Sequence, residues 1–239
     1  MKYLNCIDMS GYNRINWDAI KLVIFDVDGT LYAQSRLRTK MLYALLRHYA
    51  LRPWKARDLM ILQRFRAERE KHAGYTGGNL DKAQYDWCAE KGGYSPSRVR
   101  RVVEQWIFTF PNPYLAQCIY PGTHSFFAEL KRKGIKVAIY SDYKAHDKML
   151  AMSLEADLIV SSTDSEIDRL KPDPAGLLYV ADKLQVQPQQ CLFIGDRQEM
   201  DGECAIRAGM PYLILDKKPF HSFDFYQQLE QTLTAPITA

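Results

Sequence analysis

The chain has 239 residues, a formal net charge of +4 and an ordinary globular composition, 47% hydrophobic and 25% charged. That length corresponds to about 1.6 typical domains, so one large domain or one domain with a substantial insertion, and the composition excludes disordered, collagen-like and coiled-coil classes. Apolar runs such as 22–25 and 212–215 fall far short of the roughly 20 residues of a membrane span; the first residues lack the apolar stretch of a secretory signal, and a cytoplasmic location is expected.

Residues 1–20 read as an N-terminal extension. Residues 21–25 form the first short apolar run of the kind expected for a strand buried on both faces. From 33 to 119 no comparable run occurs. The sequence there predicts four helical pieces, 36–51, 54–71, 80–91 and 97–110, broken at Pro53, at the glycine-rich stretch 74–78, at Gly92 and Gly93, and at Pro111 and Pro113. Strands are expected again at 136–140, 157–160, 191–194 and 212–215. They alternate with helices at 123–133, closed by Gly134, at 174–184 and at 201–208. Strands alternating with helices imply an α/β fold with a central parallel sheet and right-handed crossovers. The sheet-forming residues are 21–32 and 120–239, and 33–119 is an all-helical insertion.

Charge divides at the same boundary. The insertion carries sixteen Lys and Arg against seven Asp and Glu, a net of +9, and the remainder is net −5. A basic segment of this kind suits an anionic ligand. No nucleic-acid motif and no basic cluster interleaved with aromatics is present, so nucleic acid is not the expected partner. The five cysteines (6, 88, 118, 191, 204) form no CxxC pair and read as buried apolar side chains in a reducing compartment. The five histidines (48, 72, 124, 146, 221) show no ligand spacing. Aromatics of the insertion such as Tyr85, Trp87 and Trp106 read as core. Tyr75 and Thr76, in the glycine-rich stretch, are the expected exceptions that reach a ligand.

Three strands end in polar residues. The first runs into Asp26-Val27-Asp28-Gly29-Thr30, the second into Ser141-Asp142, the fourth into Gly195-Asp196, with Asp201 five residues later. Ligands of open α/β sheets bind outside the carboxyl ends of the strands, so these residues are expected to share one crevice with Lys171. Asp26, Asp28 and Asp196, with Asp201 nearby, make a carboxylate cluster that requires a cation. All-oxygen donors select Mg2+ over zinc. Ser141 and Lys171 are donors for phosphate oxygens, and Gly29 permits a turn whose N–H groups point at an anion. Metal, phosphate donors and a free carboxylate describe phosphoryl transfer through an aspartyl-phosphate.

The four segments Asp26-Val27-Asp28-Gly29-Thr30, Ser141, Lys171-Pro172 and Gly195-Asp196 with Asp201, in this order at strand ends, resemble the haloacid dehalogenase-like hydrolases over about residues 21–216. The resemblance implies a Rossmann-like three-layer core and identifies the helical insertion with the cap of that family. It implies Asp26 as nucleophile and Asp28 as general acid and base. Mg2+ would be held by the Asp26 carboxylate, the Asp28 carbonyl and Asp196, with Asp201 binding through water or orienting the others. Gly29, Ser141, Asp142 and Lys171 would surround the phosphoryl group. An Asp two residues after the nucleophile fits phosphatases and phosphomutases rather than enzymes that cleave carbon–halogen bonds. Asp142 departs from the Asn of many relatives; a carboxylate there is expected to point away, pair with a base, or meet a substrate hydroxyl or amine, and Arg197, after Asp196, is expected to pair with a nearby carboxylate.

The expected activity is therefore Mg2+-dependent hydrolysis of a small phosphomonoester. The alternatives are a phosphomutase or phosphotransferase acting on a sugar phosphate, and a non-catalytic protein that binds an anionic partner through its basic cap. Hinges of cap closure are expected at 31–34 and 114–122.

Overall fold

The computed structural model describes residues 15–235; residues 1–14, most of the predicted N-terminal extension, and residues 236–239 lie outside the described residues. Five parallel strands, β1 (Leu22–Phe25), β2 (Lys136–Ser141), β3 (Leu158–Ser161), β4 (Cys191–Gly195) and β5 (Tyr212–Ile214), form one sheet in the order β3-β2-β1-β4-β5. Every residue of β1 and β4 is buried, which is why these strands read as unbroken apolar runs. Their side chains alternate between two cores. Val23, Phe25, Val137, Ile139, Leu192 and Ile194 face one layer of helices, and Leu22, Ile24, Ala138, Tyr140, Cys191 and Phe193 face the other.

The first face is covered by α6 (Thr123–Arg132), α7 (His146–Ala151) and α10 (Phe225–Thr234), the second by α8 (Ala175–Lys183) and α9 (Glu203–Ala208). Gly134 follows α6 at φ +70°, the left-handed position that favours glycine after a helix. Residues 15–20, assigned to the extension, pack on the core: Ile15 and Ile20 are buried in the first layer and Trp17 Nε1 donates to Thr232 Oγ1 of α10 at 3.0 Å. α7 and α10 are absent from the elements expected from sequence.

The insertion is all helical. It contains α1 (Gln34–Ala50), α2 (Arg57–Lys71), α3 (Leu80–Gly92), α4 (Pro96–Val103) and the single turn α5 (Asn112–Leu115). Two expected helices are broken. Pro53 opens a separate 3-10 turn (Pro53–Lys55) before α2, and α4 passes into a π-helical turn over Glu104–Thr109. Ser95 caps α4 by accepting the Arg98 N–H, with Pro96 at the first helical position. Ile61, Phe65, Tyr85, Cys88, Val99, Val103 and Trp106 build a third apolar core inside the insertion.

Candidate active site

The strand order reverses direction between β1 and β4, and the loops that leave these two strands carry Asp26 and Asp196. This is the topological switch point, where the crevice of an open parallel sheet lies. The register places Phe25 level with Ile139 and Ile194, so residues 26, 140 and 195 begin the same rim.

Asp26 is buried. Its Oδ1 accepts Lys171 Nζ at 2.8 Å and its Oδ2 accepts Thr30 Oγ1 at 3.1 Å. Burial, with the charges of Asp201 and Asp196, outweighs Lys171 and pushes the Asp26 carboxyl up to about 7. Lys171 is fully buried, its ammonium lying 4.9 Å from the Tyr140 ring centroid and 5.1 Å from that of Phe193. Burial acts to neutralise it, but Asp201 and Asp26 hold it well above the usual lysine range. Asp201 Oδ1 accepts the same ammonium at 2.8 Å, and its Oδ2 accepts the backbone N–H groups of Asp196 and Arg197 at 3.1 Å each. Asp201 thus fixes both Lys171 and the loop leaving β4.

Asp26, Asp196 and Asp201 each offer one oxygen, all within 4.8 Å of one another. Asp196 is raised by burial and by Asp201, against the pull of Lys217 Nζ at 3.2 Å. An all-oxygen set of three carboxylates, with one buried lysine among them, fits a hard divalent cation such as Mg2+. Gly29 has φ +97°, and a Cβ there would lie 2.5 Å from Asp196 Oδ2. The glycine lets the loop after β1 approach the loop after β4.

Asp28 points into the cleft. Lys148 Nζ of α7 donates to both its carboxylate oxygens at 2.6 Å, and the Tyr32 hydroxyl donates to Oδ1. Burial would raise Asp28, but Lys148 outweighs it and holds the carboxyl below its ordinary value. Lys148 was not anticipated. No motif precedes it, and only the placement of α7 beside β1 brings it here.

Ser141 is buried at the end of β2, where its Oγ accepts the Tyr143 N–H at 3.3 Å. Asp142, grouped with the phosphate ligands, is instead occupied by protein donors: Ser162 Oγ at 3.0 Å, the Lys171 N–H at 3.4 Å and Arg197 Nη2 at 3.5 Å. Asp142 also lines the cleft beside Asp26 and Asp28. Tyr75 and Thr76 do not line the cleft. The Tyr75 hydroxyl donates to the Gly78 carbonyl at 3.0 Å, and its ring meets Trp87 edge-on.

The 74–80 side of the insertion is fastened to the core. The Gly74 N–H donates to the Lys171 carbonyl at 2.9 Å, the Leu170 N–H to the Tyr75 carbonyl at 3.1 Å, and Asp168 accepts the N–H groups of Asn79 and Leu80. Arg69 of α2 donates to the Asp142 carbonyl at 2.6 Å and to Gln84, with its guanidinium over the Tyr143 ring. Between this latch and the core site lies a cavity of about 830 Å³. Asp26, Asp28 and Asp196 line it together with side chains of α1, α2 and the π turn.

The family model of the haloacid dehalogenase-like hydrolases matches residues 20–209. The chain is 27% identical over 221 residues to a phosphoglycolate phosphatase of Pseudomonas putida, covering 84% of this chain and 72% of that protein. It is 25% identical over 195 residues to a glyceraldehyde 3-phosphate phosphatase of Methanopyrus kandleri, covering 80% and 82%. Among solved structures, a beta-phosphoglucomutase of Clostridium difficile superposes with a TM-score of 0.57 at 19% identity, covering 89% of this chain and 97% of that one. At that identity the likeness is one of fold.

Proposed function

The chain belongs to the haloacid dehalogenase-like hydrolases, and from that premise we propose that it is a Mg2+-dependent phosphatase that hydrolyses a phosphomonoester through an aspartyl-phosphate on Asp26. The observation that carries this reading is the pair of carboxylates two residues apart after β1, each on its own lysine. Asp26 is held by Lys171 at 2.8 Å, and Asp28 faces the same cleft on Lys148 at 2.6 Å. One carboxylate serves as nucleophile and the other as proton carrier.

An oxygen of Asp26 attacks phosphorus, and the bond from phosphorus to the ester oxygen breaks. Asp28, once protonated, gives its proton to the departing alcohol. Water then attacks the phosphorus of the aspartyl-phosphate, Asp28 takes a proton from it, and inorganic phosphate leaves with Asp26 restored. The incoming phosphoryl group is a second anion competing for Lys148. As Lys148 turns toward it, Asp28 loses the partner that keeps it ionised. Lys171 and Ser141 bear on the phosphoryl oxygens. The Asp26 and Asp196 carboxylates and the Asp28 carbonyl would hold Mg2+, with Asp201 orienting them. When bound, the ion supplies the charge neutralisation that lets a phosphate dianion approach a carboxylate.

The test is phosphate release from p-nitrophenyl phosphate with Mg2+. Turnover is expected from the parent, with a loss of about 10⁴-fold or more in Asp26→Asn and an unchanged circular dichroism spectrum. Activity within tenfold of the parent in that variant would overturn the nucleophile.

A further inference from the structure

The cavity narrows the substrate class. Resting on the phosphatase reading, we propose that the phosphomonoester carries a long apolar tail, an alkyl, acyl or isoprenoid chain, and that the α1–α2 side of the cap is its binding wall. At about 830 Å³ the cavity lies in the upper part of the range, about 300–1,000 Å³, that encloses drug-sized ligands. That is far more room than a two- or three-carbon phosphate fills.

Its lining is mixed: Met41, Leu42 and Leu45 of α1, Leu59 and Leu62 of α2 and Ile107 of the π turn supply an apolar surface, Gln34, Arg38, Gln63 and Glu70 of the same helices line the cavity with them, and Lys148 and Arg66 bear on Asp28. A sugar or a short hydroxy acid needs hydrogen-bonding partners for its hydroxyls, and burying those hydroxyls against leucines is unfavourable. A hydrocarbon tail loses nothing there and gains from each methylene removed from water.

The wall does not end at the cavity. Leu42 and Leu59, 58% and 39% exposed, stand at its mouth. Beyond them the same helical hairpin exposes Leu46, Trp54 and Met60. Isolated exposed apolar residues are ordinary; Leu42 and Leu59 differ in that both also line the cavity.

Binding and chemistry can be tested apart. Isothermal titration with alkyl phosphonates from ethyl to dodecyl, below their micellar concentrations and with Mg2+, reads the tail site without hydrolysis. The dissociation constant is expected to fall by up to about fourfold per methylene until the tail reaches the mouth, and the slope to flatten in Leu42→Glu/Leu59→Glu. Both substitutions are at exposed positions and leave the cores intact. An affinity that is independent of chain length, or a slope unchanged in the double variant, would overturn the tail site. Failure to release phosphate from p-nitrophenyl phosphate would instead strike the phosphatase reading and leave the binding result standing. Among active preparations, kcat/KM for alkyl phosphates is expected to follow the same slope, through KM. Lysophosphatidate and isoprenyl phosphate then distinguish acyl from isoprenoid tails.

Discussion

On the sheet side of the cleft Asp26, Lys171 and Asp201 are buried, and each is held by two or more directional partners. On the cap side Leu42, Leu45 and Leu59 touch the same cavity with side chains that hold nothing in a fixed direction, and two of them are open to solvent. The contrast follows from what each wall must do. Attack at phosphorus depends on angles and on distances of a few tenths of an ångström, which only hydrogen bonds and charge can fix. The leaving group needs only to be enclosed, and apolar contact is indifferent to its register.

The two walls should therefore fail differently. The largest effect belongs to Lys171→Met. Removing the ammonium that Asp26 and Asp201 share leaves these two carboxylates facing each other, and breaking a buried ion pair in this way costs about 3–5 kcal/mol. Denaturant unfolding without Mg2+ should show a loss of that order. A loss below about 1 kcal/mol would mean that the sheet-side wall is not held by charge. Next comes Lys148→Met, which removes the donor shared by Asp28 and the incoming phosphate. Phosphate release should fall about 10²-fold. An equal loss for Leu59→Glu on p-nitrophenyl phosphate would erase the distinction between the walls.

A smaller effect follows from the raised Asp26 carboxyl. Its folded value is about 7 against the ordinary 3.8, so between those limits the metal-free folded protein keeps a proton that the unfolded chain has released. Metal-free stability should fall as pH rises through that window. Mg2+ binds the ionised form, so it should raise the thermal midpoint more near pH 7 than near pH 5, and chelation should reverse the gain. A Mg2+ effect that is larger at the acidic end contradicts the assignment.

The sheet-side wall was also the legible one. Buried parallel strands declare themselves as apolar runs, and acids at their ends are conspicuous because nothing else at a strand end calls for a carboxylate. Lys148 was not legible. It sits on a six-residue helix whose buried residues are only Lys148 and Met149, and its role comes from the tertiary contact with Asp28. α10 carried a readable signal, with Phe225, Tyr226, Leu229 and Leu233 on one face. Through the Tyr226 hydroxyl on the Thr30 carbonyl it braces the loop that holds Asp26. On the cap side the helices were readable but their partners were not. Leu42 and Leu46 have the spacing of a buried face, and only the tertiary structure shows that this face is uncovered. Tyr75 was misplaced for the same reason: glycine-rich composition marks a loop, but not which surface the loop fastens to.

The smallest effect concerns the cap's sixteen basic residues, which sequence counts alike and the structure divides. Arg98 pairs with Asp58 at 2.8 Å but is 41% exposed, so its ion pair is screened by solvent and worth about 1 kcal/mol at most. Arg69 is buried, donates to the Asp142 carbonyl and to Gln84, and covers the Tyr143 ring, joining cap to core at the edge of the cleft. Arg69→Met keeps the apolar stem and strands the buried Gln84 amide oxygen and the half-buried Asp142 carbonyl, at about 1–3 kcal/mol. Arg98→Met should be near neutral. Limited proteolysis separates a local from a global loss: opening of the latch exposes the 74–79 segment and speeds cleavage there before the core unfolds. If the two variants are cut at the same rate as the parent, Arg69 does not couple the walls, and their difference in rigidity arises within each wall alone.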